Sequence, residues 1–154
     1  MHRVQENQAF IGRITNVSIV PGDDKQKTTI QFDAAWSGSW RNDSNHDAAW
    51  IFFKVRPEGA KEWQHIRLAA DRELNPQGYA CEGNRKMDFL LPKEKDPSTG
   101  LDAGSTGMFV RQAGQSSTCS ISLTKVTAVW DLSKSTGIGR DTKVQIIAVC
   151  LKMV

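Results

Sequence analysis

Thr28-Thr29-Ile30-Gln31-Phe32-Asp33-Ala34-Ala35-Trp36 alternates in hydropathy, with Ile30, Phe32, Ala34 and Trp36 on one face. Successive side chains of a strand point to opposite faces, so this period of two predicts a half-buried β-strand. A little downstream, Ala48-Ala49-Trp50-Ile51-Phe52-Phe53-Lys54-Val55-Arg56 is apolar on both parities at its start and alternates at its end. That predicts a central strand covered on both faces for part of its length. Trp36, Trp50 and Trp130 all fall on positions read as inward.

Upstream, Ile11 to Val20 carries Ile11, Val17 and Ile19 on odd positions but Ile14 and Val20 on even ones, so a bulge near Thr15 is expected to restore the register. Pro21-Gly22-Asp23-Asp24 reads as a turn, and Pro57-Glu58-Gly59 closes the central strand. Trp63 to Leu68 is then expected as its hairpin partner. Residues 69 to 104 hold three of the five prolines and many charges, with Met87-Asp88-Phe89-Leu90-Leu91 as the one strand read there, so this stretch is expected to be a long surface excursion. Three more runs follow: Gly107 to Arg111, Thr118 to Trp130 and Lys143 to Leu151. In the second of these the apolar parity switches between Leu123 and Val126, predicting a bulge near Thr124-Lys125 where the strand bends or changes sheet. No stretch sustains a helical apolar period over three turns. The fold class is therefore all-β, an antiparallel β-sandwich of about eight strands, with a closed barrel as the alternative.

At 154 residues, the chain is of a size for a single domain. We read residues 1–10 as a polar leader and 11–154 as the sandwich. The net charge of +3 comes from 20 basic and 17 acidic residues that are interspersed, which is no nucleic-acid footprint. No apolar run reaches the roughly 18 residues that span a bilayer, so membrane insertion is not expected. The first eight residues lack the apolar core of a signal peptide, which predicts cytoplasmic synthesis, compatible with later incorporation into an extracellular particle or filament. Cys81, Cys119 and Cys150 form an odd set without CxxC spacing. They are expected to be free, mostly buried thiols, with Cys119–Cys150 as the pair to consider if their strands are neighbours.

The sharpest local constellation lies in the connector 36–47. Asp43, Asn45 and Asp47 have the alternate spacing of a calcium loop, but Ala48 and Lys54 stand where such a loop needs Gly and Glu. These side chains are expected to cap the turn, with Arg41 paired to Asp43 or Asp47, and to remain a weak metal candidate. With three tryptophans assigned to the core, Trp40 and Trp63 are left as the candidate binding pair, since flat indoles stack on sugar rings. His2, His46 and His65 lie in separate segments without metal-ligand spacing. Cys81 could pair with His65 or His46 as a nucleophile, but Glu82 beside it disfavours the thiolate. Gly137-Ile138-Gly139 lacks the rest of a phosphate loop and reads as a hairpin turn, with Lys134, Arg140 and Lys143 as a solvated basic tip. No catalytic residue and no cofactor is expected.

Phe32-Asp33-Ala34-Ala35-Trp36, Ser39-Trp40-Arg41-Asn42-Asp43 and Asn45 to Val55, followed by Trp63 to Leu68, Gly107 to Val110 and Val129-Trp130-Asp131, resemble in order the β-rich N-terminal module of bacterial formylglycine-generating-enzyme-like (sulfatase-modifying-factor) proteins. The resemblance covers about residues 11 to 154. In that family the module precedes a formylglycine-enzyme or C-type-lectin-like domain, whereas this sequence stops at Lys152-Met153-Val154. The family's cysteine chemistry belongs to the following domain, so the resemblance carries over no catalytic residue. It implies a β-sandwich and a non-catalytic role.

Two functions are expected from this reading. The first is a structural subunit that assembles with other copies of itself into a filament or virus-like particle, its polar leader held by a neighbour. The second is a recognition module for a glycan or an extracellular protein, accessory to a lectin-like or enzyme-like partner domain. Trp40, Trp63 and the 69–104 excursion would form its surface.

Overall fold

The computed structural model describes residues 3–6, 8–9, 12–21, 25–69 and 87–153. They form twelve strands: β1 (Arg3–Glu6), β2 (Gln8–Ala9), β3 (Gly12–Pro21), β4 (Lys27–Arg41), β5 (Ala48–Pro57), β6 (Gln64–His65), β7 (Met87–Leu90), β8 (Glu94–Lys95), β9 (Asp102–Gly104), β10 (Gly107–Gln112), β11 (Ser116–Asp131) and β12 (Val144–Met153). The first sheet has the order β1-β12-β5-β10-β7, with β6 also on β5; the second has the order β11-β4-β3-β2. The expected all-β sandwich is therefore what forms. Its pairings are antiparallel except for β1, which runs parallel to β12.

β4 behaves as its alternation dictates: Ile30, Phe32, Ala34 and Trp36 are buried and the residues between them are half-buried. Its Phe32 ring meets Phe53 of β5 edge-on, with centroids 5.2 Å apart, fastening one sheet to the other. Around this contact pack Ile51 and Val55 of β5, Met108 and Val110 of β10, Ile146 and Ala148 of β12, and Ile14 of β3. Each of the larger of these side chains contributes about 1.5–3 kcal/mol by leaving water, so this layer dominates stability.

Both expected bulges are present. The β3–β4 register shifts between Thr15 and Ser18, and the β11–β4 register between Leu123 and Val126. The extra residues, Asn16 and Lys125, each adopt φ of 54°. The first shift brings Ile14 and Val17 to the same interior; the second does so for Leu123 and Val126. β11 nevertheless stays in one sheet along its whole length, paired with β4 on both sides of the bulge. The change of sheet comes later, through a 3-10 turn at Leu132–Lys134 and a loop to β12. Gly137-Ile138-Gly139 is thus no hairpin turn: it lies in this crossing between sheets, with Gly137 at φ of 70° and Ile138 buried as a plug.

Other boundaries also differ from the sequence reading. The leader is built into the sandwich, β1 extending the first sheet and β2 the second. Immediately after it, β3 crosses β12 so closely that a Cβ on Gly12 would collide with the Cys150 side chain and lie 2.8 Å from its carbonyl oxygen. Of Trp63 to Leu68, Gln64 and His65 pair with β5. The chain then leaves for the second sheet, where Ala69 N–H donates to Val129 and Arg67 C=O accepts from Asp131, both at 2.8 Å. Within 69–104, β8 and β9 form a small hairpin that alternation did not announce, because two- and three-residue strands are too short to show a period. Residues 70–86 lie outside the described part.

Candidate functional site

The outer face of the first sheet is built from the residues of β5 that do not enter the core. Ile51, Phe53 and Val55 are fully buried, so Trp50, Phe52, Lys54 and Arg56 point the other way. Trp50 is therefore an outer-face residue, contrary to the inward assignment. Where both parities of a strand are apolar, hydropathy does not say which side the partner sheet covers. Across the ladder, Leu151 stands opposite Trp50, Val149 opposite Phe52, Ile147 opposite Lys54 and Gln145 opposite Arg56. On the other flank Phe109 stands opposite Trp50, and the two rings touch with centroids 4.5 Å apart. Trp50 also lies across Gly107, where a Cβ would fall 2.7 Å from the indole. At the outer strand, Leu90 is 41% exposed.

The polar groups of this face sit around the apolar centre. Arg56 stacks over the Trp63 ring at 4.7 Å and donates through Nε to Gln145 Oε1 at 3.1 Å. His65 packs against Phe52 at 5.7 Å between centroids. Its pKa is lowered, chiefly by burial and then by the charges of Lys54 and Arg67. The outer face of the second sheet is more polar. Its outward positions include Thr15 and Ser18 of β3, Thr29, Gln31 and Asp33 of β4, and Ser122 and Thr124 of β11, with Val20, Ala35 and Val129 as the apolar residues among them, Val20 being 47% exposed.

Trp40 and Trp63 are not brought together. Trp40 lies before β5, its backbone N–H donating to Asp47 Oδ1 at 3.0 Å, whereas Trp63 lies beside Arg56 at the far end of that strand. At 3.3 Å per residue, about 25 Å separates them. In the connector, Asn42 is the turn cap that spacing did not single out: its Oδ1 accepts from the N–H groups of Ser44 at 3.0 Å and Asn45 at 2.7 Å. Asp47 is buried under Trp40, while exposed Asp43 accepts from Gln115. Arg41 pairs with Asp88 at 3.2 Å instead of Asp43 or Asp47. No group of three or more His, Cys, Asp or Glu able to hold a metal occurs among the described residues.

The cysteines correct the sequence reading. Cys119 is disulfide-bonded, and Cys150 is a free thiol whose pKa burial pushes up to about 12. Cys119 and Cys150 do not pair with each other, Cys150 being the free thiol, and their strands lie in different sheets instead of side by side. Cys81, whose thiolate the neighbouring Glu82 was expected to disfavour, lies outside the described residues, as does His2. His65 and His46 sit apart, His46 facing Arg111 instead.

At the opposite end of the sandwich, a cleft of about 230 Å³ has Trp130, Leu132, Ile138 and Val144 in its floor and Arg140, Asp141 and Thr142 at its rim. Of the basic tip, Arg140 reaches this cleft. Compared with protein-family models, with curated proteins and with solved structures, the chain matches none.

Proposed function

We propose that the protein is a non-catalytic structural subunit that assembles with copies of itself through the outer face of the first sheet. The observation that carries this reading is the contrast between the two outer faces. An antiparallel sheet facing water normally shows polar side chains there, as most outward positions of the second sheet do. The first sheet instead offers Trp50, Phe52, Phe109, Ile147, Val149 and Leu151 in one connected area. These six side chains are half-buried on adjacent strands, and a contiguous run of apolar groups reaching the surface of a sheet is the kind of feature that marks a contact surface. Repetition of such a contact generates a filament if open and a virus-like particle if closed. Light scattering of the pure protein should show a large oligomer; a clean monomer at high concentration would overturn the reading.

A second reading is favoured by the gathering of Trp50, Phe52, Phe109 and Trp63 around one face. These rings suit a recognition module for a glycan or an extracellular protein, in keeping with the resemblance to modules that precede lectin-like or formylglycine-enzyme-like domains. Indole fluorescence titrated against a glycan panel tests it, because stacking on a saccharide must shift the emission.

A further inference from the structure

We propose that Arg41 and Arg111 form a binding subsite for an oxyanion, a carboxylate or a tetrahedral phosphate or sulfate. The subsite lies where the end of β4 meets the β10–β7 edge of the first sheet. Register places Arg111 directly opposite Asp88, and Arg41 reaches the same carboxylate from the other sheet. Arg41 Nη1 donates at 3.2 Å and Arg111 Nε at 3.3 Å, both to the single oxygen Oδ2. Charge-assisted N–H···O bonds normally settle at 2.7–2.9 Å, and a guanidinium fork is best matched by two oxygens. Here two forks share one oxygen at long range, so neither is matched.

The other contacts do not fill the forks. Arg41 Nη1 also donates to the Gln112 carbonyl at 2.7 Å, and Arg111 Nη1 lies 3.4 Å from His46 Nε2. Nε and Nη2 of Arg41 and Nη2 of Arg111 have no acceptor among the described residues, and Asp88 Oδ1 receives no donor among them. In the neighbouring connector, Asp47 Oδ1 accepts the Trp40 N–H and Asp43 Oδ1 accepts from Gln115. One carboxylate thus serves two guanidinium groups, on side chains that are 25% and 23% exposed. Such a group is partly stripped of water yet still reached by solvent, an environment in which an incoming oxyanion gains from paired N–H donors.

The test is a titration of the full chain with phosphate, sulfate and acetate at constant ionic strength set by chloride, read by amide chemical shifts and by the melting temperature. A short glutamate-containing peptide forms a further arm. Saturable shifts at Arg41, Asp88 and Arg111 with at least one oxyanion are expected, and the tightest arm tells whether the source is a partner's carboxylate or a free phosphate or sulfate. Asp88→Asn removes the competing carboxylate and should tighten binding at least about fivefold, whereas a merely structural ion pair would respond with lost stability alone. The double variant Arg41→Gln, Arg111→Gln should lose the saturable response. Shifts no larger than those with chloride in both the parent and Asp88→Asn would overturn the proposal. So would a response that survives in the double variant. Should the double variant fail to fold, the Asp88→Asn comparison decides alone.

Discussion

The carboxylate of Asp33 in β4 accepts the backbone N–H of Lys125 in β11 at 2.9 Å. Its other oxygen accepts from Asn16 Nδ2 in β3 at 2.6 Å, so one acid braces the bulges on both flanks of the central strand. Those bulges return the later halves of β3 and β11 to inward register, and Asp33 thereby secures the core from the outside. Hydrogen bonds to a charged acceptor contribute about 1.5–3 kcal/mol. Asp33→Ala should cost about 2 kcal/mol in urea unfolding, and Asp33→Asn, which keeps one carbonyl acceptor, about half of that. Equal stability of Asp33→Ala and the parent would show that the bulges hold themselves.

Lys125 and Asn16 share φ of 54° but should respond oppositely to glycine. A lysine in the left-handed region costs about 1 kcal/mol that glycine does not, partly offset by the extra freedom of the unfolded chain. Lys125→Gly keeps the N–H that Asp33 binds and should stabilise by about 0.5 kcal/mol. Asn16→Gly loses a side-chain bond at a position asparagine tolerates, and should destabilise by about 1 kcal/mol. Thermal melts of the two variants give the signs directly.

Asp47 is buried and accepts the Trp40 N–H, which holds the connector against the start of β5. Asp47→Ala should cost about 1–2 kcal/mol, the range for a lost cap. The melting temperature of the parent should be the same with calcium as with a chelator. A calcium-dependent rise that Asp47→Ala abolishes would instead establish a cation site at Asp43, Asn45 and Asp47, because a ligand that binds the folded state raises its stability by mass action.

Cys119 is bonded and Cys150 is not, so alkylation without reductant in denaturant, mapped by mass spectrometry, should label Cys150 and leave Cys119 unlabelled. In the native protein that thiol should resist alkylation at pH 8, since burial holds its pKa near 12 and nucleophilicity needs the thiolate. Labelling of Cys119 would contradict the bond there.

What was legible in the sequence is what hydropathy period can encode. β4 alternates because one side of it faces the core, and the parity breaks near Thr15 and Thr124-Lys125 announced bulges whose extra residues are Asn16 and Lys125. Trp50 was misplaced because Ile51 and Phe53 beside it are equally apolar, so the pattern shows burial on two sides without saying which is the interior. Arg41, Asp88 and Arg111 were invisible because they come from three separate strands, joined once β7 and β10 are in register. The β1 strand escaped notice for a related reason: Arg3-Val4-Gln5-Glu6 is too short and polar to show a period, and its pairing is set by the edge that β12 presents.

Sedimentation velocity of two single variants, one on each outer face, tests the assembly most directly. Val149→Glu puts a charge amid the apolar face of the first sheet, and Ser122→Glu puts one on the polar face of the second. The account predicts that the parent and Ser122→Glu sediment as the same large oligomer while Val149→Glu sediments as a folded monomer. A parent that is monomeric at high concentration, or a Val149→Glu variant that assembles as the parent does, would contradict it.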